Sequence, residues 1–178
     1  RRGDLASQLA RLEERQILPE PAARMRARGR IAPATPPASD RTLQFDNTHG
    51  GFSEDGREYI VSPRADRPTP APWINVVTNA KFGFQCSAEG GGYTWYGNSR
   101  DHQLTPWNND PVSDPQGEAI YVRDEETGAL FCPTLKPLDQ RDGTHLARHG
   151  FGYSAFERAT GELRLELVQT VPLNASHK

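Results

Sequence analysis

One short segment, residues 91–111, carries most of the side chains in this chain that could recognise a ligand. It combines four aromatic rings (Tyr93, Trp95, Tyr96 and Trp107) with glycines, side-chain amides and an arginine. Aromatic faces stack on the apolar C–H face of a sugar ring, while amide, carboxylate and guanidinium groups hydrogen-bond its hydroxyls. The composition therefore predicts a carbohydrate ligand. A strand of core aromatics followed by a polar turn is the alternative, and composition alone does not separate the two.

The elements that must position this segment are predicted to be β-strands. From residue 43 onward, short runs rich in aromatic and β-branched residues alternate with Gly, Pro, Asn and Asp. Two segments, 124–128 and 158–161, each end in a glycine placed for the left-handed position of a hairpin loop. With no second helix-like segment, this pattern predicts a mainly β fold, an antiparallel β-sandwich. The predicted strands are 43–47, 57–62, 74–79, 82–87, 93–96, 118–124, 130–133, 144–158 and 162–171.

The last predicted strand has a clear two-residue period. Leu163, Leu165 and Leu167 alternate with Arg164 and Glu166. Because successive side chains of a strand point to opposite faces, the leucines are expected on a core and the charged residues in water.

The N-terminal part of the chain differs in composition. Residues 1–28 contain leucines at helical spacing (Leu5, Leu9 and Leu12) and seven arginines, and are predicted to be a short helical connector from an upstream region. Residues 29–42 are rich in Pro and Ala and are predicted to be a linker. A contact with an anionic membrane is the less favoured interpretation of the arginines. Since the chain begins with Arg-Arg, we expect it to be an internal piece of a longer protein.

Composition excludes several classes of protein. A net charge of −2 leaves no surplus of basic residues for phosphates, so nucleic acid is not an expected partner. No run is apolar enough for a membrane span or a signal peptide. The two cysteines, Cys86 and Cys132, lie in predicted strands without metal-like spacing and are expected to be buried thiols, with a disulfide as the alternative.

An ordered series of short blocks in the β-rich part carries a family resemblance. The blocks are 45–52 (FDNTHGGF), 55–60 (DGREYI), 69–76 (TPAPWINV), 82–83 (FG), 92–95 (GYTW), 98–100 (NSR), 104–107 (LTPW), 109–111 (NDP), 117–118 (GE), 121–124 (YVRD), 127–128 (TG) and 149–153 (HGFGY). Together they resemble the opening part of the N-terminal β-supersandwich, with its galactose-mutarotase-like fold, of glycoside hydrolase family 94, the cellobiose and chitobiose phosphorylases. Within the family, the resemblance is nearest to the phosphorylase-like region of cyclic β-1,2-glucan synthases.

The resemblance implies that residues 43–178 are the first part of the supersandwich, and it limits what this chain does alone. Enzymes of the family keep their general acid and phosphate site in an (α/α)6 barrel, and nothing in this sequence resembles that barrel. No catalytic carboxylate transfers onto the chain, although phosphorolysis with inversion needs one. We therefore expect no catalytic residues, no metal and no cofactor here. Inorganic phosphate or a sugar nucleotide would belong to the full-length glycosyltransferase or phosphorylase.

The resemblance also implies which residues of this chain would contact a sugar or the barrel. The candidate substrate-binding residues are Asn98, Arg100, Trp107, Asn108, Asn109 and Asp110, with Ser99 beside them. Trp107 follows a proline in an Asn-rich loop and is the better stacking candidate, whereas Trp95 alternates with Thr94 and Tyr96 and is expected in the core. An ion pair of Arg100 with a carboxylate is an equally good interpretation of that residue.

Two further hypotheses concern the histidines, and the sequence supports both of them less well. His49, His102, His145 and His149 could be combined with a glutamate into an epimerase-like site, but no spacing is diagnostic. His145 and His149 are four residues apart, which suits a metal only on a helix, and they lie in a predicted strand.

One block departs from the family pattern. The turn 47–52 reads Asn-Thr-His-Gly-Gly-Phe, with Thr48 where a glycine is expected. Because a β-branched residue disfavours a positive φ, an altered turn is expected there. Gly50 and Gly51 are expected to serve the geometry of the turn.

Three functions follow. The chain is a carbohydrate-binding and scaffolding segment of a β-glucan phosphorylase or cyclic β-1,2-glucan synthase, an independent carbohydrate-binding module, or a purely structural dimerisation element. The expected partners are a β-glucan or gluco-oligosaccharide, the barrel of the same polypeptide and a second copy in a homodimer. The expected location is the cytoplasm, or the cytoplasmic side of the inner membrane in a cyclic glucan synthase.

Overall fold

The computed structural model describes residues 42–140, 142–161, 163–174 and 177–178. The connector predicted over 1–28 and all but the last residue of the linker predicted over 29–42 lie outside these residues. The turn Asp124–Ala129 belongs to a unit separate from the rest of the described chain and is described by itself. Every regular element in the described part is a β-strand, which confirms the mainly β fold.

Ten strands are present in the described residues. They are β1 (Gly50–Phe52), β2 (Glu58–Val61), β3 (Ile74–Thr78), β4 (Phe82–Ser87), β5 (Gly92–Tyr96), β6 (Val122–Arg123), β7 (Leu130–Phe131), β8 (Thr144–Gly150), β9 (Tyr153–Thr160) and β10 (Leu163–Thr170).

The strands form three antiparallel sheets. A five-stranded sheet has the order β1-β2-β8-β9-β10, a three-stranded sheet has the order β3-β4-β5, and β6 pairs with β7. In the three-stranded sheet, Phe84 lies opposite Val77 on one side and Thr94 on the other. This register decides which side chains of β5 face the core.

The main core lies between the five-stranded and the three-stranded sheet. Phe82, Phe84 and Cys86 project from alternate positions of β4, as the period of a strand requires. They pack with residues of the facing sheet, among them Ala147 of β8 and Phe156 of β9. Two sheets that bury one face each against a shared core are a β-sandwich, as the sequence predicts.

The opposite face of the three-stranded sheet holds a second apolar cluster. Tyr93 and Trp95 lie opposite Gln85 and Gly83, so they point away from Phe84 and the main core. Both rings are buried all the same, and they lie 5.1 Å apart between centroids. A Cβ on Gly83 would come within 2.6 Å of the Trp95 ring, so this position must lack a side chain. The prediction that Trp95 is buried is confirmed, but it is buried in this outer layer.

The first predicted strand is wrong. Residues 43–47 contribute only an isolated bridge from Gln44 to Phe52, and the strand is formed by Gly50–Phe52, which the sequence assigned to a turn. The reason is close packing of backbones, because a Cβ on Gly50 would lie 2.0 Å from the Ile60 carbonyl oxygen. These glycines permit strand contact rather than a left-handed turn.

Other boundaries also differ from the predictions. The single strand predicted over 144–158 is two strands, joined by a two-residue turn in which Gly152 has a φ of +83°. Strands β6 and β7 are shorter than predicted, so Cys132 follows β7 instead of lying in it. Both cysteines are nevertheless buried free thiols, as expected. Burial raises the pKa of the Cys86 thiol to about 11.

The glycine turns and the leucine alternation are confirmed. Gly128 and Gly161 have φ values of +71° and +54°, in the left-handed region. In β10 the three leucines are half-buried, while Arg164 and Glu166 are exposed.

The turn that contains Thr48 keeps a left-handed residue despite the missing glycine. Thr48 has a φ of +73°. Side chains on both sides hold it there: Asp46 accepts the Thr48 N–H at 2.8 Å, and Arg67 donates to the Thr48 hydroxyl at 2.6 Å. The expectation of an altered turn is therefore not met at this residue, which takes up the conformation at a cost in strain.

Candidate functional site

The candidate site is built on β5 and on the loop that follows it. Trp107 stacks on Tyr93 with ring centroids 5.3 Å apart and planes 28° from parallel. Tyr93 is itself buried against Trp95, so the Trp107 ring has a fixed support. Nevertheless 43% of the Trp107 residue is exposed. The result is a rigid aromatic surface that is half open to solvent.

Backbone and side-chain hydrogen bonds tie the base of this loop to β5. The N–H of Leu104 donates to the carbonyl of Thr94, and the N–H of Gly117 donates to the carbonyl of Gly92. Between these two points, the N–H of Thr94 donates to the hydroxyl of Thr105 at 2.8 Å. The loop from 104 to 117 therefore leaves and rejoins the same strand.

Glu118 anchors the end of the loop. Its carboxylate accepts hydrogen bonds from the hydroxyls of Thr94 and Thr105 and pairs with the ammonium of Lys178. Burial raises the pKa of Glu118, but the bonds from Lys178, Thr94 and Thr105 outweigh burial and lower this pKa below its usual value. The charged carboxylate is thus part of the scaffold that holds Trp107.

Asp110 shapes the loop from within. One carboxylate oxygen accepts the N–H groups of Val112 and Ser113 at 2.9 and 3.2 Å, and the other accepts the Ser113 hydroxyl at 2.6 Å. The bond from the Ser113 side chain, followed by those from the two backbone amides, lowers the pKa of Asp110. Both oxygens therefore already serve the turn, and Asp110 has less capacity for a sugar hydroxyl than its sequence position indicates.

Asn98 plays a similar part in the turn at the end of β5. Its side-chain oxygen accepts the N–H groups of Arg100 and Asp101 at 2.8 and 2.9 Å. Only its amide N–H₂ group remains for a ligand. The Trp95–Gln103 bridge and the bond from the N–H of Tyr96 to the carbonyl of His102 close the turn.

Three of the predicted residues present free side chains in the described part of the chain. Arg100, Asn108 and Asn109 are exposed, and none of them forms a side-chain hydrogen bond or ion pair with another described residue. The ion pair considered for Arg100 is therefore absent among these residues. Guanidinium and amide groups of this kind are free to bind hydroxyls from solvent.

The structure brings the candidates together in two groups. Trp107, Asn108, Asn109 and Asp110 are consecutive and lie beside Tyr93, whereas Asn98 and Arg100 follow Tyr96 at the end of the same strand. Three residues along a strand span about 10 Å. Sequence reasoning missed Tyr93 and Glu118 as the supports of the site. The alternation of Tyr93 and Trp95 was visible, but pairing a tyrosine with a ring fourteen positions later requires the fold.

The histidines of β8 face inward. Burial lowers the pKa of His145 and of His149 to about 4, and for His145 the neighbouring Arg158 adds to the effect. Both nitrogens of His145 are buried, and among the described residues neither has a hydrogen-bond partner. Among the described residues, no three His, Cys, Asp or Glu side chains are grouped to hold a metal ion.

Comparison with known proteins identifies the domain. The family model for the supersandwich domain of glycosyl hydrolase 94 matches residues 57–178, which include the whole candidate site. This chain belongs to that family. The match confirms the supersandwich resemblance carried by the sequence blocks.

Curated relatives agree with this assignment. The cyclic β-(1,2)-glucan synthase NdvB of Rhizobium meliloti (strain 1021) is 50% identical over 129 residues, which is 72% of this chain and 5% of the relative. The N,N'-diacetylchitobiose phosphorylase of Vibrio furnissii is 34% identical over 110 residues, 61% of this chain and 13% of the relative. A solabiose phosphorylase of Paenibacillus borealis is 29% identical over 114 residues, 63% of this chain and 14% of the relative. The chain thus spans only a small part of each relative's length.

The part of the chain that the structure describes contains no helix long and apolar enough to cross a bilayer.

Proposed function

We propose that this supersandwich domain contacts a β-linked glucan through the Trp107 loop and the neighbouring Arg100 turn. The observation that carries the proposal is the Trp107 ring, which is held by Tyr93 and is half exposed. An aromatic ring with one face fixed by the protein can offer its open part to a sugar without losing conformational entropy on binding. Asn108, Asn109 and Arg100 supply hydrogen-bonding groups around it.

The two groups of candidate residues suit an extended ligand. Tyr93, which supports the first group, and Tyr96, which precedes the second, are about 10 Å apart along β5, which is further than a single hydrogen bond reaches. An oligosaccharide that crosses the strand would meet Trp107 at one ring and Arg100 at another. We therefore favour a chain of sugars over a monosaccharide.

The relative that is 50% identical to this chain points to the linkage. NdvB is described as a cyclic β-(1,2)-glucan synthase, and its match covers most of this chain. We infer a preference for β-1,2-linked glucose units. The chitobiose phosphorylases, which are less similar, supply a contrasting ligand for the test.

Catalysis is assigned to another part of a longer polypeptide. The candidate site contains amides, aromatics and a guanidinium, but its carboxylates, Asp110 and Glu118, are occupied by turn and anchor bonds. A domain of this kind would position a glucan against the barrel that carries the reaction, which makes the barrel its partner. Its location in the cytoplasm, or at the cytoplasmic face of the inner membrane, stays a prediction.

The test is a titration of the chain with β-1,2-linked gluco-oligosaccharides, with N,N'-diacetylchitobiose in parallel, read by amide NMR shifts and tryptophan emission. We expect saturable shifts in residues 93–110 with the β-1,2 ligand. Trp107→Ala should abolish them and Trp107→Phe should retain part of the affinity. Tyr121→Ala, which removes another half-exposed aromatic, is the matched control and should bind normally.

A flat titration with a well-dispersed spectrum would contradict the proposal. It would favour the second candidate, a structural element without sugar affinity. The extensive anchoring of the loop by Glu118 and Asp110 is the observation that supports this alternative, because a rigid loop is equally suited to packing against another domain.

A further inference from the structure

A small cavity adjoins the Trp107 loop. It has a volume of about 110 Å³, several times the roughly 15 Å³ that one water molecule needs. Its walls combine apolar and charged side chains, among them Pro68, Pro72, Pro111, Glu89, Asp114 and Lys136. Pro111 and Asp114 belong to the loop that carries Trp107, so the cavity and the aromatic ring share one structural element. Apolar walls with a few converging polar groups are typical of sites for small ligands.

The strand register places Asp114 beside the aromatic surface. The N–H of Ser87 donates to the carbonyl of Gly91 at 2.6 Å, which continues the β4–β5 ladder by one pair. Gly91 is therefore on the same face as Tyr93, two residues along. A Cβ on Gly91 would be 2.2 Å from Oδ1 of Asp114, so the carboxylate lies directly over this glycine. The positions that support Asp114 and the Trp107 ring are thus about 7 Å apart along the strand.

Asp114 has one carboxylate oxygen in use and one free. Oδ2 accepts the Ser87 hydroxyl at 2.5 Å, and the N–H of Gly91 donates to the same hydroxyl at 2.8 Å. Among the described residues, none donates to Oδ1. Burial raises the pKa of Asp114 by more than the bond from Ser87 and the charge of Lys136 lower it, and the charge of Glu89 raises it further. A partly desolvated carboxylate of this kind is stabilised by a hydroxyl that donates to it.

Lys136 supplies a donor on the wall of the same cavity. Its ammonium pairs with Glu89 at 3.1 Å and donates to the Ser113 carbonyl at 2.6 Å, which uses two of its three N–H groups. It acts on Asp114 through its charge, but the ion pair that it forms among the described residues is with Glu89. The cavity therefore presents an acceptor and a donor that are not bonded to each other. Sugar hydroxyls can satisfy both, because a hydroxyl donates and accepts.

The backbone at Asp114 is strained. Its φ is +43°, in the left-handed region that disfavours residues with a Cβ. A glycine would fit this turn without that cost, so the turn alone does not require a carboxylate here. Strained residues of this kind are frequent at ligand sites.

We infer that Asp114 accepts a hydrogen bond from the sugar unit next to the one on Trp107, with Lys136 as the second contact and the cavity as the space for that unit. The inference rests on the proposed glucan function and extends its site. The acceptor is Asp114 rather than Asp110, whose two oxygens already serve the turn. The contacts then follow one line along β5, from Arg100 at its end, through Trp107, to Asp114 before its start.

The test adds one variant pair to the titration with β-1,2-linked gluco-oligosaccharides. Asp114→Asn tolerates a positive φ and can still accept the Ser87 hydroxyl, but it replaces the free acceptor oxygen with an N–H₂ donor. We expect the affinity to fall by about tenfold or more, because a hydrogen bond to a charged group is lost. Asp55→Asn is the matched control. Asp55 is exposed and also accepts a serine hydroxyl, from Ser53 at 2.6 Å, and its variant should bind normally.

A second measurement needs no variant. The carboxyl carbon signals of the unmodified chain are followed against pH with and without the oligosaccharide. Hydroxyls that donate to Asp114 favour its charged form, so its pKa should fall when the ligand is bound, while that of Asp55 should not change. The other ionisable groups that line the cavity, and that the same titration must take into account, are Arg64, Glu89, Lys136 and Asp139.

The outcomes separate this inference from the proposed function. If Trp107→Ala abolished binding while Asp114→Asn left it unchanged, the inference would be wrong and the proposed function would stand. A pKa of Asp114 that did not move on binding would have the same meaning, and it decides the question if Asp114→Asn does not fold. Absence of binding by the unmodified chain would overturn both.

Discussion

Trp107 lies almost parallel on Tyr93, although the two residues are separated by a loop that leaves the sheet and returns to it. Tyr93 is 6% exposed and Trp107 is 43% exposed, so the buried ring supports and the open ring is presented. Because the two rings have different roles, we expect different effects when each residue is replaced.

We expect Tyr93→Ala to destabilise the domain by about 3–5 kcal/mol, because it empties a buried aromatic position and removes the support of Trp107. Trp107→Ala should cost only about 1–2 kcal/mol, since its ring is partly in water and loses mainly the stacking contact. Urea denaturation followed by circular dichroism gives both values.

Tyr93→Phe is the control for this pair. It keeps the ring and should stay within about 1 kcal/mol of the unmodified protein. An equal cost for the two alanine variants would show that Trp107 is as much a core residue as Tyr93, and would weaken the case for a presented ring.

The sequence predicted the sandwich more accurately than the site. Alternation and turn glycines located β4 with its observed bounds and the β9–β10 hairpin, because these depend on local periodicity. Gly50 and Gly51 were assigned to a turn because their real role depends on Ile60, ten residues away on another strand.

The same limit applies to the candidate site. The sequence placed Trp107 in a polar loop, but the commitment of Asp110 to Ser113 and the anchoring by Glu118 depend on tertiary contacts. Residue type alone did not distinguish a carboxylate that builds a loop from one that faces solvent.

Thr48 provides a prediction about backbone strain. Its φ of +73° costs a β-branched residue about 1–2 kcal/mol, which a glycine would not incur. Thr48→Gly also loses the exposed hydrogen bond from Arg67, whose contribution is smaller. We expect a net stabilisation of about 0.5–1 kcal/mol, seen as a higher melting temperature.

Thr48→Ala separates the two effects. It loses the same hydrogen bond but keeps a Cβ in the left-handed conformation, so it should be no more stable than the unmodified protein. If the alanine and glycine variants melted at the same temperature, the strain at Thr48 would be negligible.

The buried histidines of β8 predict a pH dependence of stability. Their pKa values are about 4 in the folded chain and about 6.5 when unfolded. Between these values the unfolded state binds more protons, so the free energy of unfolding must fall as pH falls from about 6.5 toward 4. Each histidine contributes on the order of 3 kcal/mol to that loss. His145 faces Arg158 and lies near Asp142, so its protonation also places two cations side by side.

Urea titrations between pH 7.5 and 5 measure this slope above the range where most carboxylates titrate. His145→Phe should flatten the slope by removing one of the two groups, and it should also remove two buried nitrogens that have no hydrogen-bond partner among the described residues. His102→Gln changes an exposed histidine and should leave the slope as it is. A stability that stays constant from pH 7.5 to 5 in the unmodified protein would mean that the β8 histidines acquire a proton as easily in the folded chain as in the unfolded one, in spite of their burial.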